Sequence, residues 1–175
     1  MTLVLFILLV LGCSIAIGFS CPPGDWYARL SKPRFNPPNW LFAPSWMVLY
    51  LLIAVAGWRT WEDDATLAFA VWVAQLAINF AWSPTFFRAR RGDAAIALIL
   101  VLLALILVFI GLQWSVDCTA ALLFVPYAAW IAFAGILNAA VLNLNPAELR
   151  GYALPPVPRS LVTQHREHSG PQARR

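Results

Sequence analysis

Long apolar runs separated by short polar stretches dominate this chain. Five stand out, at approximately Thr2 to Cys21, Trp40 to Trp58, Thr66 to Phe87, Ala94 to Trp114 and Thr119 to Asn143. Each approaches the ~20 residues that a helix needs to cross ~30 Å of hydrocarbon. Only a helix satisfies its own backbone polar groups within one segment there, so the pattern predicts an all-α fold, a five-transmembrane-helix bundle. Pro44, Pro84 and Pro126 fall near the ends of runs, where neighbouring helices can satisfy the carbonyls that a proline frees. Five spans place the two termini on opposite sides of the membrane.

The polar stretches set the orientation. Arg29, Lys32, Arg34, Arg88, Arg90, Arg91 and the five arginines from Arg150 onwards share one side, leaving Arg59 opposite, beside the acidic Glu62-Asp63-Asp64 stretch. In a plasma membrane this excess of Lys and Arg puts the C-terminus in the cytoplasm and the N-terminus outside. The first run lacks the basic segment of a signal peptide and is longer than a typical signal's apolar region, so it is expected to stay as a span. Residues 1–150 then form one membrane domain, and 151–175, proline- and arginine-rich without apolar periodicity, a disordered C-terminal tail.

Composition agrees with a lipid environment: 61% of residues are hydrophobic, 11% are charged, and mean hydropathy is +0.72. The net charge of +4 is explained by topology, and no basic stripe interleaved with exposed aromatics points to nucleic acid. Cys13, Cys21 and Cys118 lack metal-ligand spacing and are expected as free thiols, Cys21 and Cys118 at opposite faces. His165 and His168 in the tail make no metal site without further ligands.

Two features carry candidate chemistry. The segment Trp26 to Trp40 combines prolines with aromatic anchors and basic side chains, which suits either an interfacial aromatic belt or a lid over a ligand site, with Trp26, Tyr27, Pro37, Pro38 and Trp40 as the lid residues. At ~100° per residue, Trp72, Gln75, Asn79, Trp82 and Phe86 form one stripe on the third span. Tyr127, Trp130, Ala134 and Asn138 form another on the fifth, and Trp46 and Tyr50 lie one turn apart on the second. An apolar cavity with a few directed amides suits a large, flat hydrophobic ligand. Ordinary helix packing, with Gln75, Asn79 and Asn138 satisfying one another, is the alternative.

WYARLSKPRFNPPNWLFAPSWMVLY resembles the first loop and second helix of the TspO/MBR family, the translocator and tryptophan-rich sensory proteins. Gln75 to Trp82 followed by Phe86-Phe87 resembles its third helix, and Leu123 to Trp130 through Leu137-Asn138 its fifth, so the likeness runs from about Trp26 to Asn145. The family's ligand positions carry over as Trp46, Asn79, Trp82, Trp130, Ala134 and Leu137, beside Tyr50 and Asn138 from the stripes. Where animal members place a cholesterol-associated Tyr and Arg, this chain has Ala139 and Asn143, which disfavours a sterol. Ala94 lies where many members have a Trp.

The resemblance implies an integral membrane protein that binds a porphyrin or other tetrapyrrole, with a sensory, regulatory or transport role and no required cofactor. Light- or oxygen-dependent porphyrin degradation is one alternative, with Trp46 and Trp130 supporting the chemistry, and a non-binding scaffold is another. The spans hold no acid/base pair, nucleophile arrangement or metal-ligand set, so no catalytic residue is assigned. Ala70, Ala74, Ala77 and Ala81 line the third span away from its aromatic stripe. Small residues let helices approach closely, and together with the family's tendency to dimerise they point to a homodimer.

Overall fold

The computed structural model describes residues 1–149. The expectations for the 151–175 tail, with His165 and His168, lie outside the described residues. Among the described residues seven helices follow in order: α1 (Thr2–Ser20), α2 (Gly24–Arg29), α3 (Asn39–Glu62), α4 (Thr66–Ser83, prolonged by a π-helical turn over Pro84–Arg88), α5 (Gly92–Gln113), α6 (Cys118–Leu144) and α7 (Pro146–Leu149). Five of them, α1, α3, α4 with its π turn, α5 and α6, are long and apolar enough to cross a membrane. The chain is an all-α, five-span membrane protein.

Two local departures from the apolar pattern have clear causes. The stretch read as loop from Trp26 holds α2, which opens at Gly24 with φ of +58°, a conformation glycine adopts without steric cost. Asp25 in its first turn and Arg29 in its last suit the helix dipole. Helix α3 continues past Trp58 to Glu62 because its polar end finds partners: the Thr60 hydroxyl donates to the Ala56 carbonyl at 2.8 Å, and Gln113 Nε2 donates to Thr60 at 2.7 Å.

Pro84 brings no N–H to α4, and the helix widens there. The Ala89 N–H reaches back five residues to the Pro84 carbonyl at 2.9 Å, while the Thr85 hydroxyl donates to the Ala81 carbonyl at 2.8 Å. This wider turn carries Phe86 inward, to 3% exposure, and leaves Arg88 outside.

The spans pack in a ring in which α1 neighbours α3, α3 neighbours α6, α6 neighbours α5, α5 neighbours α4, and α4 returns to α1. Helix α1 is the least embedded, with Val10 its one buried residue. Gly57 on α3 lets the Trp72 ring lie against the backbone, where Nε1 donates to the Ile53 carbonyl at 2.9 Å; a Cβ at Gly57 would stand 2.2 Å from that ring.

The interior divides into two clusters. One, built on residues such as Leu49, Ile53, Trp72, Leu76, Ile99, Phe124, Tyr127 and Ile131, fills the half towards the α3–α4 connection. The other, with Trp26, Leu30, Phe86, Ala95, Leu137, Val141 and Leu149, fills the half under the first loop.

Candidate ligand-binding site

Between the two clusters lies a level of half-buried aromatic side chains. On α6 it runs from Trp130 to Ala134, on α4 between Leu76 and Phe86, and on α3 before Leu49. The sequence-derived positions Trp46, Asn79, Trp82, Trp130 and Ala134 all occupy it, and Leu137 bounds it below. Trp46 stacks on Tyr50 at 5.2 Å and meets the edge of Trp130 at 6.3 Å, while Phe42 and Phe133 flank Trp130 at 6.0 and 5.9 Å. Trp82 stacks on Phe86 at 5.3 Å with their planes 10° apart, and packs against both clusters.

A chain of hydrogen bonds runs along the upper edge of this level. The Tyr50 hydroxyl donates to Asn79 Oδ1 at 3.0 Å, Asn79 Nδ2 donates to the Tyr127 hydroxyl at 2.8 Å, and that hydroxyl donates to Gln75 Oε1 at 3.1 Å. Three spans are linked through one asparagine. Gln75 and Asn79 therefore meet through Tyr127, and Asn138 is not part of the set: its Nδ2 turns to the Gly92 carbonyl at 3.4 Å, because its place on α6 faces the start of α5. Tyr127, noted in sequence only as a stripe member, is the hub.

Three buried polar atoms around the site have no hydrogen-bond partner among the described residues: Trp82 Nε1, Gln75 Nε2 and Asn138 Oδ1. Such atoms are rare in folded proteins and costly in a dry interior. Of these, Trp82 Nε1 lies at the aromatic level, whereas Gln75 belongs to the network around Tyr127 and Asn138 sits beyond Leu137 against the start of α5.

The first loop closes the end below. Trp26 is buried against Phe86 at 6.1 Å, and Tyr27 meets Phe86 and Phe87 at 6.2 and 5.5 Å. Lys32 Nζ lies 4.6 Å over the Tyr27 ring and donates to the Tyr27 carbonyl at 2.8 Å, and burial pushes the Tyr27 phenol pKa up. Pro37 and Pro38 lead into α3, and Trp40 is 71% exposed. The five loop residues thus separate into a buried Trp26 with a half-buried Tyr27 over the bundle end and a second group at the mouth of α3.

Asn145, which sequence reasoning did not single out, ties this loop down. Its Oδ1 accepts from the Ser31 N–H and its Nδ2 donates to the Ser31 carbonyl, both at 2.9 Å, pairing the loop with the end of α6. An asparagine just beyond a span was the only signal.

At the far end, Arg59 pairs through two nitrogens with Asp117, one bond measuring 3.0 Å, and Asp117 also caps α6 by accepting from the Thr119 N–H. The hydrogen bond from Arg59 holds the Asp117 carboxyl below its ordinary pKa. Cys13, Cys21 and Cys118 are free thiols. Ala70, Ala74 and Ala77 lie on the exposed side of α4, and Ala81 is half-buried.

Comparison with known proteins gives a consistent relationship. The model of the TspO/MBR family matches residues 4–144. Protein CrtK of Rhodobacter capsulatus is 38% identical over 155 residues, covering 85% of this chain and 97% of that protein. The tryptophan-rich sensory protein of Cereibacter sphaeroides is 35% identical, over 77% of this chain and 85% of its own length. The human translocator protein is also 35% identical, over 83% of this chain and 90% of its own length.

Proposed function

The chain belongs to the TspO/MBR family, and from that premise we propose that it binds a porphyrin or related tetrapyrrole between its two interior clusters, in a sensory or transport role. The carrying observation is the aromatic level between those clusters, where the buried Trp82 Nε1 has no partner among the described residues. A flat macrocycle offers faces to Trp46 and Trp130, and an acceptor on its polar edge complements the Trp82 N–H. Desolvated stacking supplies affinity, and the Trp82 N–H sets orientation, with Asn79 fixing Tyr50 at the edge of the level.

In this reading Trp26 and Tyr27 act as the lid, with Pro37, Pro38 and Trp40 at its hinge, so the loop governs entry and residence. Loop 1, the α4–α5 turn and the C-terminus lie in the cytoplasm if the host is a plasma membrane, because Arg29, Lys32, Arg34, Arg88, Arg90 and Arg91 gather at that end. No cofactor is required for binding.

Titration of the purified full chain in nanodiscs with a porphyrin, with mass-spectrometric product analysis in dark and light, tests the proposal. Saturable binding with recovery of intact ligand is expected. Asn79→Leu and Trp130→Ala should each weaken affinity by about fivefold or more, since each removes on the order of 1 kcal/mol in a desolvated site. Turnover that is lost in Trp46→Phe would replace this reading with a porphyrin-degrading enzyme, and absence of saturable binding would leave a scaffold.

A further inference from the structure

Outside the aromatic level, the described surface holds a notch of about 300 Å³ where the end of α1 meets the π turn of α4. Ser20, Cys21, Pro22, Phe87, Arg88 and Arg90 line it. Two arginines thus line one concavity whose lining carries no carboxylate. Arg88 has no ion-pair or hydrogen-bond partner among the described residues, and Arg90 has only the Trp26 ring, 5.1 Å away. The next arginine, Arg91, is turned aside onto Asp93.

The backbone contributes to this arrangement. Arg90 has φ of +54°, a left-handed conformation that disfavours a side chain, and the reversal from α4 into α5 is built on it. The π turn places Arg88 and Phe87 on the notch while Phe86 goes inward. The Ser20 hydroxyl donates its proton to the Ala16 carbonyl at 2.7 Å, leaving its oxygen lone pairs, so the positive charge in the notch comes from the arginines alone.

We propose that this notch binds the phosphate of an anionic phospholipid from the surrounding leaflet, held by Arg88 and Arg90. Position favours a lipid as the phosphate's source. The notch lies at the ends of two helices long and apolar enough to span, the level at which headgroups meet such helices, and α1 continues from it as an open apolar track with Phe19 at 83% and Ile15 at 56% exposure, one helical turn apart. An acyl chain can follow that track while the phosphate accepts charge-assisted bonds above it. Basic pockets between spans are the sites where phosphorylated lipid headgroups bind, and guanidinium groups match a phosphate through paired N–H donors.

Native mass spectrometry of the full chain released from mild detergent tests this, with dioleoyl phosphatidylglycerol against dioleoyl phosphatidylcholine. One phosphatidylglycerol should survive activation that strips phosphatidylcholine. Arg88→Gln with Arg90→Gln should lower its affinity about tenfold, the loss of two charge-assisted bonds. Arg29→Gln with Arg34→Gln, which removes equal charge outside the notch, should change it less than about twofold because those charges face solvent. If the double notch variant fails to fold, Arg88→Gln alone, which breaks no internal contact, should still weaken binding about threefold through one lost bond. Equal losses in the loop and notch variants, equal retention of the two lipids, or displacement of the lipid by equimolar glycerol 3-phosphate would overturn the assignment. A notch variant that loses porphyrin affinity while keeping the lipid would overturn it too, giving the arginines to the tetrapyrrole.

Discussion

Asn79 and Tyr127 meet at 2.8 Å, amide nitrogen to hydroxyl oxygen, binding α4 to α6 inside the bundle. The same hydroxyl passes its proton towards Gln75. Tyr127→Phe therefore strands Asn79 Nδ2 and Gln75 Oε1, at residues 5% and 0% exposed, and should destabilise the fold by about 1–2 kcal/mol. Combined with Asn79→Leu in a double-mutant cycle, the coupling should be about 0.6 kcal/mol, as for other hydrogen bonds between spans. Reversible unfolding in mixed micelles measures both, and strictly additive losses would show that the bond contributes nothing.

Gly57 and Trp72 make a tighter demand. Gly57→Ala pushes a methyl into the indole ring, which is fixed by its bond to Ile53, so the ring must shift and break that bond. A loss of about 1–3 kcal/mol, typical of overpacking, should appear as a lower midpoint in thermal unfolding. An unchanged midpoint would mean that α3 and α4 separate at low cost here.

The first loop should be released more by Asn145→Ala than by changes to its own prolines. Two hydrogen bonds to Ser31 disappear, worth about 1 kcal/mol together or more, so stopped-flow porphyrin release should quicken roughly fivefold. Pro37→Ala with Pro38→Ala should also speed release by adding loop freedom. Release rates equal to those of the unaltered chain in both variants would reduce the loop to an interfacial belt.

Asp117 gives an acid-dependent contact at the opposite end. Its carboxyl pKa lies below the ordinary 3.8 in the folded protein, so the stabilisation is fully present above that value and is lost as pH falls through the depressed one. Asp117→Asn keeps an acceptor for the Thr119 N–H but removes the charge facing Arg59. It should flatten the decline in stability below about pH 4 that the unaltered chain shows. Parallel acid profiles for the two proteins would count against the pair.

The homodimer expected from Ala70, Ala74, Ala77 and Ala81 has a direct test. These residues lie away from the aromatic level, and Ala74→Leu with Ala81→Leu should obstruct close helix approach while sparing ligand binding. Cross-linking in lipid should then show a shift from dimer to monomer. A correctly folded variant that stays equally dimeric would place the principal interface elsewhere.

Apolar run length was enough to locate all five spans, because hydrocarbon imposes one minimum length on every helix that crosses it. Helical spacing also sufficed to bring Trp82, Asn79 and Gln75 onto one face. What it lacked was the partner across the gap: nothing local distinguishes an asparagine aimed at Tyr127 from one, like Asn138, aimed at the Gly92 carbonyl. Helix α2 was illegible for another reason, since six residues make less than two turns and no periodicity, and packing of Trp26 on Phe86 accompanies it. The π turn was illegible because a proline near a span's end marks a disturbed ladder without saying whether the helix stops, kinks or widens.

Trp82 belongs to both halves of the interior, and this gives the molecule a linkage. A ligand that moves its ring alters the stack with Phe86, which Trp26 and Tyr27 also touch edge-on. Occupancy deep between the helices and the posture of the first loop then share one free-energy term, and linkage makes that term reciprocal: whatever grips the loop from outside must change the affinity within by the same factor. A partner at the membrane surface could read the bound state without touching the ligand.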